Sequence, residues 1–328
     1  MRGVKDVVAE RAIGLDGAAS VLAWDELVMS YGEDCQGDRG QGASRAIAFH
    51  LTHLWGRPML DVDIVSHCNL GCRCCCHFSP VTEARFLTLD EYARELGLLA
   101  QVKGAADYFE SINLMGGEPL LHPELAGFVR LTHELLPATR TRVCSNGLLV
   151  REVADDVWDA MRAAGVCLYL TPYPIGIDYQ GLVTYAGDRG VRAEVSNGLA
   201  VGEGGTPYFL STPLDEHGGH DVTQAFMECP LGGVSLQLVG GRLFPCNRGA
   251  LFETLNERFG TSFAHESEDY LELAFVSDVD EIADFRRTPK PMCRYCAYER
   301  TVRVEWGRST GEPSEWIVVS SSVSSATR

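Results

Sequence analysis

Apolar and polar positions along this chain repeat with two different periods. Leu60, Val62, Ile64 and Val65 alternate with Asp61 and Asp63, the pattern of a short half-buried strand. Residues 88–102 carry apolar side chains at helical spacing, with Thr88 and Asp90 available as starting caps. The same exchange of periods then continues. Strands are predicted over 111–115, 141–144, 166–170 and 191–195, and helices over 123–136, 153–164 and 179–189. Strand and helix alternate about every 30 residues, which predicts parallel strands joined by helical crossovers. Right-handed crossovers would curl such a sheet towards a barrel, with its site at the carboxyl ends of the strands.

The flanking regions read differently. Residues 7–29 have roughly helical spacing interrupted near Gly14 and Gly17, 31–42 form a Gly- and Asp-rich loop, and 44–55 predict a further helix. Beyond Thr206 the alternation fades. Residues 234–238 and 242–244 predict a hairpin turning at Gly240-Gly241. Short helices are predicted over 269–275 and 280–287, and the serine-rich end over 319–328 predicts disorder. The chain thus divides into a helical and loop extension (1–59), an α/β region (60–224), a smaller hairpin-and-helix module (225–310) and a flexible tail (311–328).

With 328 residues, 45% of them hydrophobic, the chain can bury a large core. Its formal net charge of -17 argues against a nucleic-acid partner, since such a surface repels phosphate. The bland reading of the charge is solubility rather than selection of a cationic ligand. Neither a secretory signal nor a run of membrane-spanning length is visible, so the expected location is cytoplasmic, with no membrane partner. Twelve cysteines in such a setting point to metal ligation or redox chemistry rather than to disulfides.

Five of those cysteines fall in Cys68-Asn69-Leu70-Gly71-Cys72-Arg73-Cys74-Cys75-Cys76. Cys68, Cys72 and Cys75 form a CxxxCxxC pattern directly after the first predicted strand. Three thiolates on one short loop can each hold one iron of a four-iron cluster, which leaves the fourth iron open to a ligand. Gly116-Gly117-Glu118-Pro119 follows the second strand: the glycines let backbone approach a ligand closely and the glutamate adds an acceptor. Ser145-Asn146-Gly147 follows the third strand, and Thr171-Pro172-Tyr173 ends the fourth. Each of these alone would be an ordinary turn.

Together they resemble the signature of the radical S-adenosylmethionine (SAM) enzymes. The resemblance implies a partial (β/α)6 barrel. Its [4Fe-4S] cluster on Cys68, Cys72 and Cys75 would bind SAM and reduce it to a 5′-deoxyadenosyl radical. Gly116, Gly117 and Glu118 would receive the amino group of SAM. Ser145 and Asn146 would meet its carboxylate or ribose, with Thr171 and Tyr173 as further ribose-contacting candidates. An external one-electron donor such as flavodoxin or ferredoxin is implied as well. The residue before the third cysteine, usually aromatic in the family, is here Cys74.

A second cysteine group follows. Cys229 precedes Gly241 by eleven intervening residues, four more lead to Cys246, and Cys293-Arg294-Tyr295-Cys296 comes later. This resembles the opening of the SPASM and twitch modules. The resemblance implies a second [4Fe-4S] cluster on Cys229, Cys246, Cys293 and Cys296 in a twitch-like auxiliary module. Four thiolates also suit tetrahedral zinc. His217 and His220 sit in a polar loop and read as an exposed turn.

The expected reaction is hydrogen abstraction from a small polar substrate: a carbinol C–H of a sugar, an aminocyclitol or a glycosylated natural product. Loss of an electron and a proton would complete a dehydrogenation. Return of hydrogen from a thiol would complete an epimerisation. Cys144 and Cys167, on predicted strands, are the first candidates for that donor, with Cys74 and Cys76 behind them and Cys35 left without a role. The alternatives are a peptide-modifying radical SAM enzyme and, from another class, a non-catalytic iron–sulfur or zinc protein.

Overall fold

The computed structural model describes residues 54, 56–202 and 205–319. The N-terminal helices expected before residue 54, together with Cys35 and His50, lie outside the described residues, as does the tail beyond 319. Five strands follow one another with helices between them: β1 Met59–Val65, β2 Ser111–Gly116, β3 Arg140–Ser145, β4 Cys167–Leu170 and β5 Arg192–Val195. The intervening helices are α1 Leu89–Gln101, α2 Leu125–Leu135, α3 Asp155–Ala163 and α4 Tyr179–Asp188. Helix α1 begins where the sequence offers a cap. The Thr88 side chain accepts from the Glu91 amide while Glu91 reaches back to the Thr88 amide, a reciprocal capping box.

Strands β1 to β5 pair in parallel in sequence order. A sixth parallel strand, β8 Ser235–Val239, joins on the other side of β1, and β9 Arg242–Phe244 and β10 Leu271–Glu272 extend that edge antiparallel. One eight-stranded sheet therefore runs β10-β9-β8-β1-β2-β3-β4-β5 and includes the region expected to form a separate module. The β8–β9 hairpin turns at Gly240 and Gly241, whose φ of 60° and 75° are the two positive values a primed hairpin turn requires.

Alternation along β1 explains the layering. Leu60, Val62 and Ile64 face the helices and are fully buried with Tyr92, Leu96, Leu99 and Phe128. Asp61 and Asp63 point to the concave face, where polar side chains pair across the strands. Asn113 donates to Asp61 at 2.7 Å, Ser235 also donates to Asp61, and Gln237 donates to Asp63 at 3.0 Å. The core thus lies on the helix side, while the concave side is polar and leads up to the strand ends.

Three expectations change. Residues 269–275 do not form one helix: they break into short 3-10 turns around β10, because Leu271 and Glu272 extend to pair with β9. Arg242 holds that pairing by donating to Glu272 at 2.8 Å and lying over the Tyr270 ring. A second sheet, β6 Ala200–Val201, β7 Pro207–Ser211 and β11 Val302–Glu305, was not anticipated. Residues 311–319 also do not dangle. Trp316 is 1% exposed, and Leu214 donates to its carbonyl at 2.8 Å.

Candidate active site

The loop after β1 coils tightly. Gly71, Cys74 and Phe78 all have positive φ, and Phe78 is buried beneath the loop as an anchor. The coil turns Cys68, Cys72 and Cys75 into one cavity of about 1510 Å3. Burial, reinforced by the nearby Cys75 and Cys68, pushes the Cys72 thiol up to about 11. Burial raises Cys68 and Cys75 as well. Such thiols ionise when a metal takes the proton's place.

The chain supplies donors aimed at these sulfurs. The Leu70 amide lies 3.4 Å from the Cys68 sulfur, and the Trp306 indole N–H donates to the Cys72 sulfur at 3.4 Å. Donors placed against sulfur suit thiolates better than thiols, so the residues fit a cluster at this position. The donor Trp306 belongs to a C-terminal strap over the loop. The Arg73 amide donates to the Gly307 carbonyl at 2.8 Å, the Ser309 amide to the Gly71 carbonyl at 2.9 Å, and the Trp316 indole to the Cys75 carbonyl at 2.9 Å.

The two glycines after β2 are demanded by contact. A Cβ on Gly117 would lie 1.8 Å from the His67 carbonyl oxygen, and one on Gly116 would lie 2.4 Å from that of Val65. This turn therefore presses bare backbone against the cysteine loop, and both glycines line the cavity. Glu118 does not line it, contrary to the acceptor role expected of its side chain. It is fully buried, and its two oxygens accept from the Asn146 amide at 2.9 Å and the Leu120 amide at 3.0 Å. Glu118 ties the second turn to the third. Asn146 in turn donates to Asn69 at 2.8 Å, which links that turn to the cysteine loop. Ser145, Asn146, Thr171 and Tyr173 all line the cavity, and the Tyr173 hydroxyl is directed towards Cys72.

Cys229, Cys246, Cys293 and Cys296 line the same cavity from three different segments. Cys246 follows the hairpin, and Cys293 lies on the 3-10 turn Pro291–Tyr295 with Cys296 just beyond it. Burial and the neighbouring thiols push Cys246 up to about 12 and raise Cys293 further still. The Gly232 amide donates to the Cys229 sulfur at 3.2 Å and the Gly249 amide to the Cys246 sulfur at 3.4 Å. Among the described residues, no three His, Cys, Asp or Glu side chains close on a single ion position. His217 is exposed, and His220 sits 3.3 Å from both Asp215 and Glu299.

The remaining thiols separate. Cys74, Cys76 and Cys144 line the cavity, and Cys167 does not. Cys167 is buried at the first residue of β4, the end remote from the cavity, beside Glu194, Arg140 and Arg192. Its expected place as hydrogen donor is therefore corrected. His77 joins Asp63 at 2.8 Å, and although burial opposes the charge, Asp63 and Cys76 hold it well above its usual pKa.

Sequence reading missed Trp306, Trp316, Arg73 and Arg248 as site residues. The alternation of Val302, Val304 and Trp306 was the one signal available for the first of them.

Residues 62–178 match the sequence profile of the Radical SAM superfamily. A GTP 3',8-cyclase of Streptomyces coelicolor is 31% identical over 131 residues, 38% of this chain and 36% of that protein. A GTP 3',8-cyclase of Chlorobaculum tepidum is 30% identical over 118 residues, 35% and 33% of the two chains. The matched stretch thus spans about a third of the length of these curated relatives. Among solved structures, BtrN in complex with AdoMet and 2-DOIA aligns with a TM-score of 0.45 at 16% identity, covering 79% of this chain and 98% of that one. Streptococcus suis SuiB bound to precursor peptide SuiA aligns with a TM-score of 0.32 at 14% identity, covering 49% and 38%.

Proposed function

We propose that this chain, whose residues 62–178 belong to the Radical SAM superfamily, abstracts a hydrogen atom from a small polar substrate. The substrate class is a sugar, an aminocyclitol or a glycosylated natural product, attacked at a carbinol C–H. The outcome is epimerisation or dehydrogenation. The superfamily implies SAM and a [4Fe-4S] cluster, which when bound together supply a 5′-deoxyadenosyl radical by one-electron reduction of the sulfonium.

The observation that carries the reading is one cavity lined by both thiol groups, Cys68, Cys72 and Cys75 with Cys229, Cys246, Cys293 and Cys296. In this reading the first three hold the SAM cluster and the last four a second cluster in a twitch-like module. The bare backbone of Gly116 and Gly117 admits the amino group of SAM. Ser145, Asn146 and Thr171 offer hydrogen bonds to its carboxylate and ribose, with Asn146 held in place by Glu118 and Asn69. Tyr173 and Trp306 wall the loop sulfurs from solvent with rings 6.1 Å apart.

The cavity volume exceeds the roughly 300–1,000 Å3 of an ordinary single-ligand pocket, which supports cofactor and small substrate lying together. Cys144 remains as hydrogen-donor candidate, with Cys74 and Cys76.

The test is anaerobic reconstitution with SAM and dithionite against a panel of sugars and aminocyclitols, in ordinary and deuterated water. GTP belongs on the panel because two relatives are named GTP 3',8-cyclase. An epimer carrying one solvent deuterium indicates a thiol donor. A ketone two mass units lighter than the substrate indicates dehydrogenation. Turnover of GTP alone would refute the sugar reading.

A further inference from the structure

The protein is strongly acidic, with 45 Asp and Glu against 28 Lys and Arg, yet the charges inside its cavity run the other way. Arg73, Arg248 and Arg303 line it. Arg73 and Arg248 are half-buried, whereas Arg303 is exposed at the edge; of the two carboxylates that also line the cavity, Glu299 is exposed and Glu228 is half-buried. Glu299 is 56% exposed and faces His220 at 3.3 Å, and Glu228 accepts from Gln224 at 2.8 Å in an exposed bond.

Arg73 and Arg248 line the same cavity, close to Cys74 in sequence and to Cys246 respectively. Both guanidinium charges act on the thiol of Cys74, which is not one of the proposed ligands. Arg73 follows Cys72 on the loop, and Arg248 follows Cys246 after the hairpin, so the cationic pair bridges the two cysteine groups.

Neither makes an ion pair among the described residues, whereas Arg85, Arg140, Arg242 and Arg294 each meet a carboxylate. The Arg248 guanidinium donates to the Thr212 carbonyl. Glu315, the carboxylate beside Cys74, is already taken. Its oxygens accept from the Ser309 hydroxyl at 2.6 Å, the Thr310 amide at 2.7 Å and the Cys74 amide at 3.4 Å. A guanidinium carries five donors in a planar fork that matches carboxylate and phosphate. Two half-buried forks without a carboxylate partner, lining one cavity, leave most of that capacity for a ligand.

We propose that Arg73 and Arg248 form an oxyanion subsite that grips a phosphate or carboxylate group of the substrate. The inference rests on the reading of this cavity as the site of SAM-dependent chemistry, and it narrows the substrate to an anionic member of the small polar class. The subsite is distinct from the place expected for SAM, which is built by the turns after β2, β3 and β4. The negative surface elsewhere repels small anions, so anion binding by the intact protein reports on the cavity.

The test uses the reconstituted, full-length protein saturated with SAM under anaerobic conditions. Inorganic pyrophosphate and malonate are titrated calorimetrically, in wild type and in R73M, R248M, R73K and R248K, with iron and sulfide counted in every preparation. Saturable binding of either probe is expected in the wild type, weakened at least ten-fold by each methionine variant. The lysine variants, which keep charge without the fork, should weaken it less. They decide the matter if a methionine variant loses its clusters. Preference for pyrophosphate or for malonate assigns the substrate group.

The proposal is overturned if the SAM-loaded wild type binds neither probe, if the variants bind as the wild type does, or if the anion binds only when SAM is absent. The last result would make the subsite a seat for the SAM carboxylate. A wild type that forms no 5′-deoxyadenosine from SAM would instead overturn the underlying reading of the cavity, independently of the anion result.

Discussion

Replacing Glu118 separates two roles for one carboxylate. From its sequence context it belongs to the cofactor; from its position it is a buried tie between two turns. Its oxygens accept from the Asn146 and Leu120 amides, and the side chain is fully buried. Glu118→Ala leaves two buried N–H groups without acceptors, at about 1–3 kcal/mol each. Desolvation of the carboxylate offsets part of this, since burial raises its pKa despite the donors around it. A net loss of about 3 kcal/mol follows, which for a chain of this size lowers the melting temperature by roughly 4–5 °C. Glu118→Gln retains one acceptor and sets an amide donor against the other N–H, so it should lose about 2 kcal/mol. The assay is thermal unfolding of the cluster-free protein under reducing conditions, with SAM affinity of the reconstituted protein measured beside it. Melting temperatures within 1 °C of wild type, together with lost SAM affinity, would refute the tie and return the carboxylate to the cofactor.

Trp306→Phe removes the N–H donor to the Cys72 sulfur, and that bond favours the more negative, reduced state of a cluster there. The midpoint potential in an EPR-monitored titration should fall by about 20–60 mV, and an unchanged potential would show that the indole does not tune it. Gly117→Ala forces a Cβ into the His67 carbonyl, a backbone clash that no rotamer relieves. It should displace the Cys68 loop and reduce the iron bound on reconstitution, whereas wild-type iron content would contradict the contact. Cys167→Ala should leave product distribution unchanged, because the thiol lies away from the cavity. Cys144→Ala should change it if Cys144 returns hydrogen, and identical products from both variants would remove both strand thiols from the chemistry.

Local order was readable where chemistry and period coincide. Leu60 to Val65 delivers Cys68 into its loop, Met115 delivers Gly116, and Cys144 delivers Ser145, because strand periodicity fixes where each loop must begin. Gly240-Gly241 named its hairpin because two positive φ values suit glycine.

What escaped depends on long-range partners. Trp306 meets Cys72 from 234 residues away, and Ser235 meets Asp61 from 174 away, so neither the strap nor the union of β8 with β1 has a local signature. The extension of residues 271–272 is imposed by β9, against the helical spacing of their neighbours. Cys167 was misplaced for a simpler reason. Its strand was expected over 166–170 and the site at the carboxyl ends, so Cys167 already stood near the amino end of its strand, about three residues from the cavity.

The central claim is that Cys68, Cys72 and Cys75 hold a cluster that delivers an electron to SAM, and that Cys229, Cys246, Cys293 and Cys296 hold another. It is tested most directly by counting iron and 5′-deoxyadenosine together in wild type, Cys72→Ala and Cys293→Ala after anaerobic reconstitution with SAM and dithionite. The account predicts loss of about one cluster's iron in each variant, with 5′-deoxyadenosine abolished in Cys72→Ala and still formed in Cys293→Ala. Normal SAM cleavage by Cys72→Ala would contradict it.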